Sequence, residues 1–68
     1  MRDPLPTRTY RRLGDLYYRG TQPPDPEDGS LISQFLAISV LSPSGLPETH
    51  ITARGELRFR SERERRDG

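Results

Sequence analysis

Sixty-eight residues make at most one domain, and a chain this short buries only about 60% of the surface its unfolded form exposes, which excludes a large enclosed active site. Charged residues (31%) outnumber hydrophobic ones (29%), so little apolar surface offsets chain entropy, and stability is marginal or borrowed from a partner. The absence of cysteine rules out disulfides, thiolate chemistry and cysteine-ligated zinc or iron–sulfur centres, and a formal net charge of only +1 hides an uneven layout: +3 over residues 1–20, −4 over 21–50 and +2 over 51–68.

Residues 1–6, MRDPLP, carry two prolines and little to bury, and read as a flexible N-terminal arm ahead of a single small domain over 7–60. Thr7 offers an N-cap to a helix over 7–19. Tyr10, Leu13, Leu16 and Tyr17 recur there at spacings of three and four, which gathers them on one face, while Arg8, Arg11, Arg12, Asp15 and Arg19 take most of the rest. Gly14 either weakens this helix by about 1 kcal/mol relative to alanine or marks the close approach of another backbone. Gly20 is the natural stop.

The segment TQPPDPEDGS holds three prolines and three acids and predicts a loop. Its end looks like a helix start, with Asp25 or Ser30 as the cap. LISQFLAISVL, residues 31–41, is the one strongly apolar stretch. Leu31, Phe35 and Ile38 fall on a single helical stripe that Ile32, Leu36, Val40 and Leu41 widen, so the expectation is a central helix over about 30–42, ended by LSPSGLP. A stripe of that width exceeds what one neighbouring helix covers. Self-association through Leu31, Phe35 and Ile38, most simply a twofold homodimer, follows as an expectation.

From His50 onward Ile51, Ala53, Gly55, Leu57 and Phe59 alternate with polar residues. Two readings stand for residues 49–60: a short strand or hairpin, or a strand that ends where Thr52 caps a terminal helix. Both bury Ile51, Leu57 and Phe59. The run RFRSERERR alternates arginine with acid, which cancels most of its charge, and residues 61–68 read as a charged, disordered tail or a solvated helix end. Gly45 and Leu46, Ile51, and the pair Thr52 and Gly55 match the close of a winged-helix domain, in which a glycine–leucine pair ends a helix, a strand follows and Thr-x-x-Gly opens the last helix. The chain resembles that family over about a third of its length. The resemblance implies a DNA-binding regulator, and because Ser33, Gln34 and Ser39 leave the central segment without a basic residue, phosphate contacts would fall to Arg8, Arg11, Arg12, Arg19, Arg54, Arg58 and Arg60.

The residues themselves point elsewhere. His50, the sole histidine, stands beside no nucleophile motif and no second metal ligand, and Glu27 with Asp28 serve a helix start better than acid–base catalysis. No enzyme, cofactor, metal or small-molecule substrate is expected. TYRRLGDLYYRG interleaves three tyrosines with three arginines, the residue types that dominate binding hot spots. Tyr18 falls off the apolar face, and with Arg11, Arg12 and Arg19 it forms the expected partner-binding patch. No apolar run approaches the ~20 residues of a membrane span, and MRDPLPTRTY holds no signal-peptide apolar region, so the expectation is a cytoplasmic protein with no membrane partner. The sequence thus predicts a small α+β, winged-helix-like domain of two amphipathic helices and a short strand or hairpin. Its expected role is a non-enzymatic modulator or inhibitor of a larger protein, of the kind phages and mobile elements encode, with DNA binding as the alternative.

Overall fold

A computed structural model describes residues 4–31 and 35–67. Five elements follow in chain order: α1 (Thr7–Arg19), a single turn α2 (Asp28–Leu31), β1 (Ala37–Leu41), β2 (Pro47–Ile51) and α3 (Ala53–Asp67). The class is small α+β, two full helices and a two-stranded antiparallel hairpin. Ala37, Thr49 and Ile51 are turned inward and Ile38 and His50 outward, so the helices cover one face at the base of the hairpin, while Ser39 and Leu41, on the same face as Ala37, are exposed. Leu13 and Leu16 from α1, Ala37 and Ile51 from the hairpin and Phe59 from α3 form the core, with Leu5, Tyr10, Tyr17 and Leu36 packed around it.

α1 has the bounds that its spacing predicts. Its cap differs: Pro6, extended at φ −56° and ψ 147°, occupies the N-cap position, and Thr7 is the first helical residue. Proline has no N–H to satisfy, and its carbonyl accepts the first helical bond from the Tyr10 N–H at 2.9 Å. Gly20 ends the helix at φ 87°, its N–H donating to the Leu16 carbonyl at 3.1 Å. Thr9, absent from the apolar stripe, is buried with Leu13 and Leu16.

The central helix expected over 30–42 does not form. Helix α2 covers Asp28–Leu31, residues 32–34 lie outside the described residues, and β1 occupies 37–41. Two causes are visible. Ile38 and Val40 are β-branched and suit a pleated strand. The segment SPSG then makes a compact reversal: the Gly45 N–H donates to the Ser42 carbonyl at 2.8 Å, Gly45 adopts φ 85°, and the Ser42 N–H reaches the Leu46 carbonyl at 2.9 Å. β2 therefore returns directly alongside β1, in a register that sets Ala37 against Ile51, Ser39 against Thr49 and Leu41 against Pro47.

The capped-helix reading of residues 49–60 holds. The Thr52 hydroxyl accepts the Gly55 N–H at 3.0 Å and donates to the Phe35 carbonyl, while the Thr52 N–H donates to the Leu36 carbonyl at 3.0 Å. One residue thus caps α3 and closes the base of the hairpin. Along α3, Gly55, Phe59 and Glu62 face inward at spacings of four and three. Leu57, expected in the core, is 64% exposed because two residues beyond Gly55 a helix has turned through about 200°. Residues 61–67, read from sequence as a charged tail, belong to α3, and Glu62 is buried there with Arg66 Nε 3.1 Å from its carboxylate. The same Arg66 donates to the Leu5 carbonyl at 3.1 Å and lies 4.3 Å from the centre of the Tyr10 ring.

Two glycines have opposite tolerances. A Cβ on Gly55 would stand 2.0 Å from the Leu36 carbonyl oxygen, whereas one on Gly14 would meet the edge of the Phe59 ring at 3.2 Å. Gly55→Ala is expected to destabilise by about 3 kcal/mol or more and lower the melting temperature by over 10 °C, while Gly14→Ala stays within about 1 kcal/mol because helix propensity offsets the ring's small shift. Thermal melts followed by circular dichroism check both.

Candidate functional site

Within α1 two stripes run side by side at intervals of four residues: Tyr10, Gly14 and Tyr18, and beside them Arg11, Asp15 and Arg19. The missing side chain at Gly14 opens a notch in the first stripe. Phe59 of α3 fills its floor, leaving a surface groove of about 430 Å³ lined by both stripes and that ring. Tyr10 stacks on Phe59 at 5.1 Å between ring centres, Tyr17 tilts against it at 5.0 Å and Tyr18 meets it edge-on at 5.6 Å.

Tyr18 is 64% exposed but not loose. Its ring makes a second edge contact with Tyr17 at 5.0 Å, and its hydroxyl accepts a hydrogen bond from Arg63. That bond, with the electrostatic attraction of the phenol, raises the pKa of the Arg63 guanidinium above its ordinary value. Arg63 also lies 5.9 Å from the centre of the Phe59 ring. Among the described residues no ion pair engages Arg11 or Arg19, so the groove rim carries two cations against Asp15.

The structure thus brings Tyr18, Arg11 and Arg19 together and separates Arg12 from them. Arg12 is a structural residue: its Nε and Nη2 donate to the two carboxylate oxygens of Asp28 at 3.0 and 3.1 Å, and Nη2 also reaches the Pro23 carbonyl at 2.8 Å. Asp28 in turn accepts from the Thr49 hydroxyl at 3.2 Å. Arg8 pairs with Glu27 at 2.7 Å on the surface. Two of the four acids in the middle of the chain, Glu27 and Asp28, are therefore paired with α1. Of the remaining arginines in the DNA alternative, Arg54 lies over the Phe35 ring at 5.4 Å, Arg58 is half-buried and Arg60 is exposed, all on α3.

The residues expected to drive self-association no longer share a helix. Leu31 belongs to α2, Phe35 stands in the turn before β1 and Ile38 points outward from β1, the last two exposed. Sequence reasoning misses Arg63, 45 positions from Tyr18, for which nothing local signals the contact. It also misses the notch, although the Tyr10–Gly14–Tyr18 spacing signals it. His50 is exposed on β2 opposite Ile38. Among the described residues no three His, Cys, Asp or Glu side chains gather as a metal site, and no helix is long and apolar enough to cross a membrane. The chain matches no family model, no curated protein and no solved structure.

The Arg12–Asp28 pair is mostly shielded, with 14% and 21% of the side chains exposed, while Arg8 and Glu27 are open to solvent. Arg12→Ala is expected to cost about 2 kcal/mol, since it strands a carboxylate and a carbonyl, and Arg8→Ala less than about 0.5 kcal/mol. Urea denaturation of the two variants checks the difference.

Proposed function

We propose that the chain is a small cytoplasmic binding protein, without catalytic activity, that acts by protein–protein contact through the α1–α3 groove as a modulator or inhibitor of a larger protein or complex. The observation that carries this reading is Tyr18, an exposed aromatic side chain held in one position by two ring contacts and a guanidinium. A side chain fixed before binding loses little rotamer entropy on association, and tyrosine and arginine are the residue types that concentrate interface energy. Arg11 and Arg19 on the rim favour a partner segment that carries acidic side chains around an apolar or aromatic one, the latter seated on the Gly14–Phe59 floor.

The internal use of Arg8 and Arg12 supports protein contact over DNA binding, because a guanidinium already engaged by a carboxylate releases no counterions from a duplex. Retention of host-cell proteins on the immobilised chain, compared between wild type and Tyr18→Ala with equal thermal melts, tests the reading. The expected result is a protein recovered with wild type at both low and high salt and lost at least tenfold with Tyr18→Ala and with the Arg11→Ala, Arg19→Ala double variant. Binding of a random DNA duplex that weakens steeply with salt and is lost on substituting Arg54, Arg58 and Arg60 establishes the DNA alternative instead.

A further inference from the structure

We propose that two copies of this chain pair through β1, antiparallel about a twofold axis at Ser39, to form a four-stranded sheet in the order β2–β1–β1–β2. The inference concerns a different surface from the Tyr18 groove, none of whose lining residues belongs to the hairpin, so each idea fails or stands separately.

The backbone bonds fix which groups β1 offers. Thr52 N–H donates to Leu36, Ser42 N–H to Leu46, and Thr49 exchanges both of its backbone bonds with Gln22 on the far side of β2, at 3.1 and 2.8 Å. Direction alternates along a strand, so Leu36, Ile38, Val40 and Ser42 face β2, and Ala37, Ser39 and Leu41 direct their N–H and C=O groups to the other edge. Among the described residues nothing pairs with that edge. β2 is bordered on both sides and β1 on one.

Natural edge strands are guarded by charge, proline or a bulge. From Phe35 to Leu41 there is no charged residue and no proline, and the register with β2 is unbroken. The edge is also self-complementary. With the axis at Ser39, Ser39 meets Ser39 and Ala37 meets Leu41 twice, so the three outward donors and three outward acceptors are all paired within the strands. Moving the axis to Ile38 or Val40 leaves one outward residue of each copy without a strand partner. Side chains agree with the Ser39 axis. Ile38, 46% exposed, faces Val40 of the second copy on the open face, and Leu41, 75% exposed, faces the small Ala37 of the second copy on the helix-side face. No like charges are brought together, so a second copy fits where a strongly charged partner does not.

The chain tests this directly because it has no cysteine. Across a hydrogen-bonded antiparallel pair the Cα atoms are about 5.5 Å apart, within disulfide reach, whereas residues on the two β2 strands stand three strand spacings, about 14 Å, apart. Under mild oxidant Ser39→Cys is expected to give a disulfide-linked dimer at least tenfold faster than His50→Cys. Sedimentation equilibrium of the wild type, over roughly 10 μM to 1 mM as befits a short interface, is expected to show the mass doubling without dependence on salt. Ser39→Pro removes an outward N–H that the β1–β2 ladder does not use, and is expected to give a folded monomer; Ile38→Lys is the second variant should the proline disturb folding, with the same expectation. A wild type monomeric throughout the range, a dimer that persists in a folded Ser39→Pro or Ile38→Lys variant, or equal cross-linking at positions 39 and 50 overturns the proposal. So does a monomer that accepts a strand from an added partner only.

Discussion

Everything in this fold is arranged around the Phe59 ring lying in the notch at Gly14. The ring is 2% exposed, and all three tyrosines touch it. With two phenylalanines, three tyrosines and no tryptophan in the chain, four of the five aromatic side chains are gathered at one crossing of α1 and α3. For a domain with so little apolar material, concentrating it at the contact between its two long helices is the economical solution. The crossing also decides where Tyr18 and Arg63 meet, so the groove is a by-product of the same packing that holds the helices together.

Away from that crossing the fold is held by shared polar groups. Thr52 serves α3 and the hairpin at once, and Gly55 lets the helix backbone approach Leu36 more closely than any other residue type permits. Asp28 gathers Arg12 and Thr49, which fastens the proline-rich loop to both α1 and β2, and the loop's Gln22 adds a bridge to β2. Among the described residues Glu62 is the exception to full satisfaction. One of its oxygens is held by Arg66, while Oε1 is buried without a hydrogen bond and has only Arg65 at 4.0 Å. The ordering of Arg66 against Leu5 and Tyr10 accompanies this buried carboxylate.

Helical spacing of Tyr10, Leu13, Leu16 and Tyr17 was enough to place α1 to the residue, because its buried face is defined by contacts within one amphipathic segment. Thr52 as a cap was equally legible, since capping is local chemistry. The stretch LISQFLAISVL was not, for a physical reason: an apolar run of that length satisfies helical and extended patterns alike, and the lean of the β-branched Ile38 and Val40 toward a strand is completed by the SPSG reversal and the return of β2, which lie outside the run. Charge segregation between α1 and the acidic loop could be read as internal pairing, but which arginine pairs with which acid required the path of the loop. Consequently sequence spacing places Arg12 in the surface patch although it is fixed inside the structure, while Arg63, distant in sequence, completes the patch.

The hydrogen bond from Arg66 to the Leu5 carbonyl brings the two ends of the folded unit within one side chain's length of each other. A few added residues suffice to join them without altering any contact of the aromatic crossing. The same closeness makes the unit insertable: spliced into a surface loop of a host protein, it enters and leaves at a single point and need not push the host's own backbone apart.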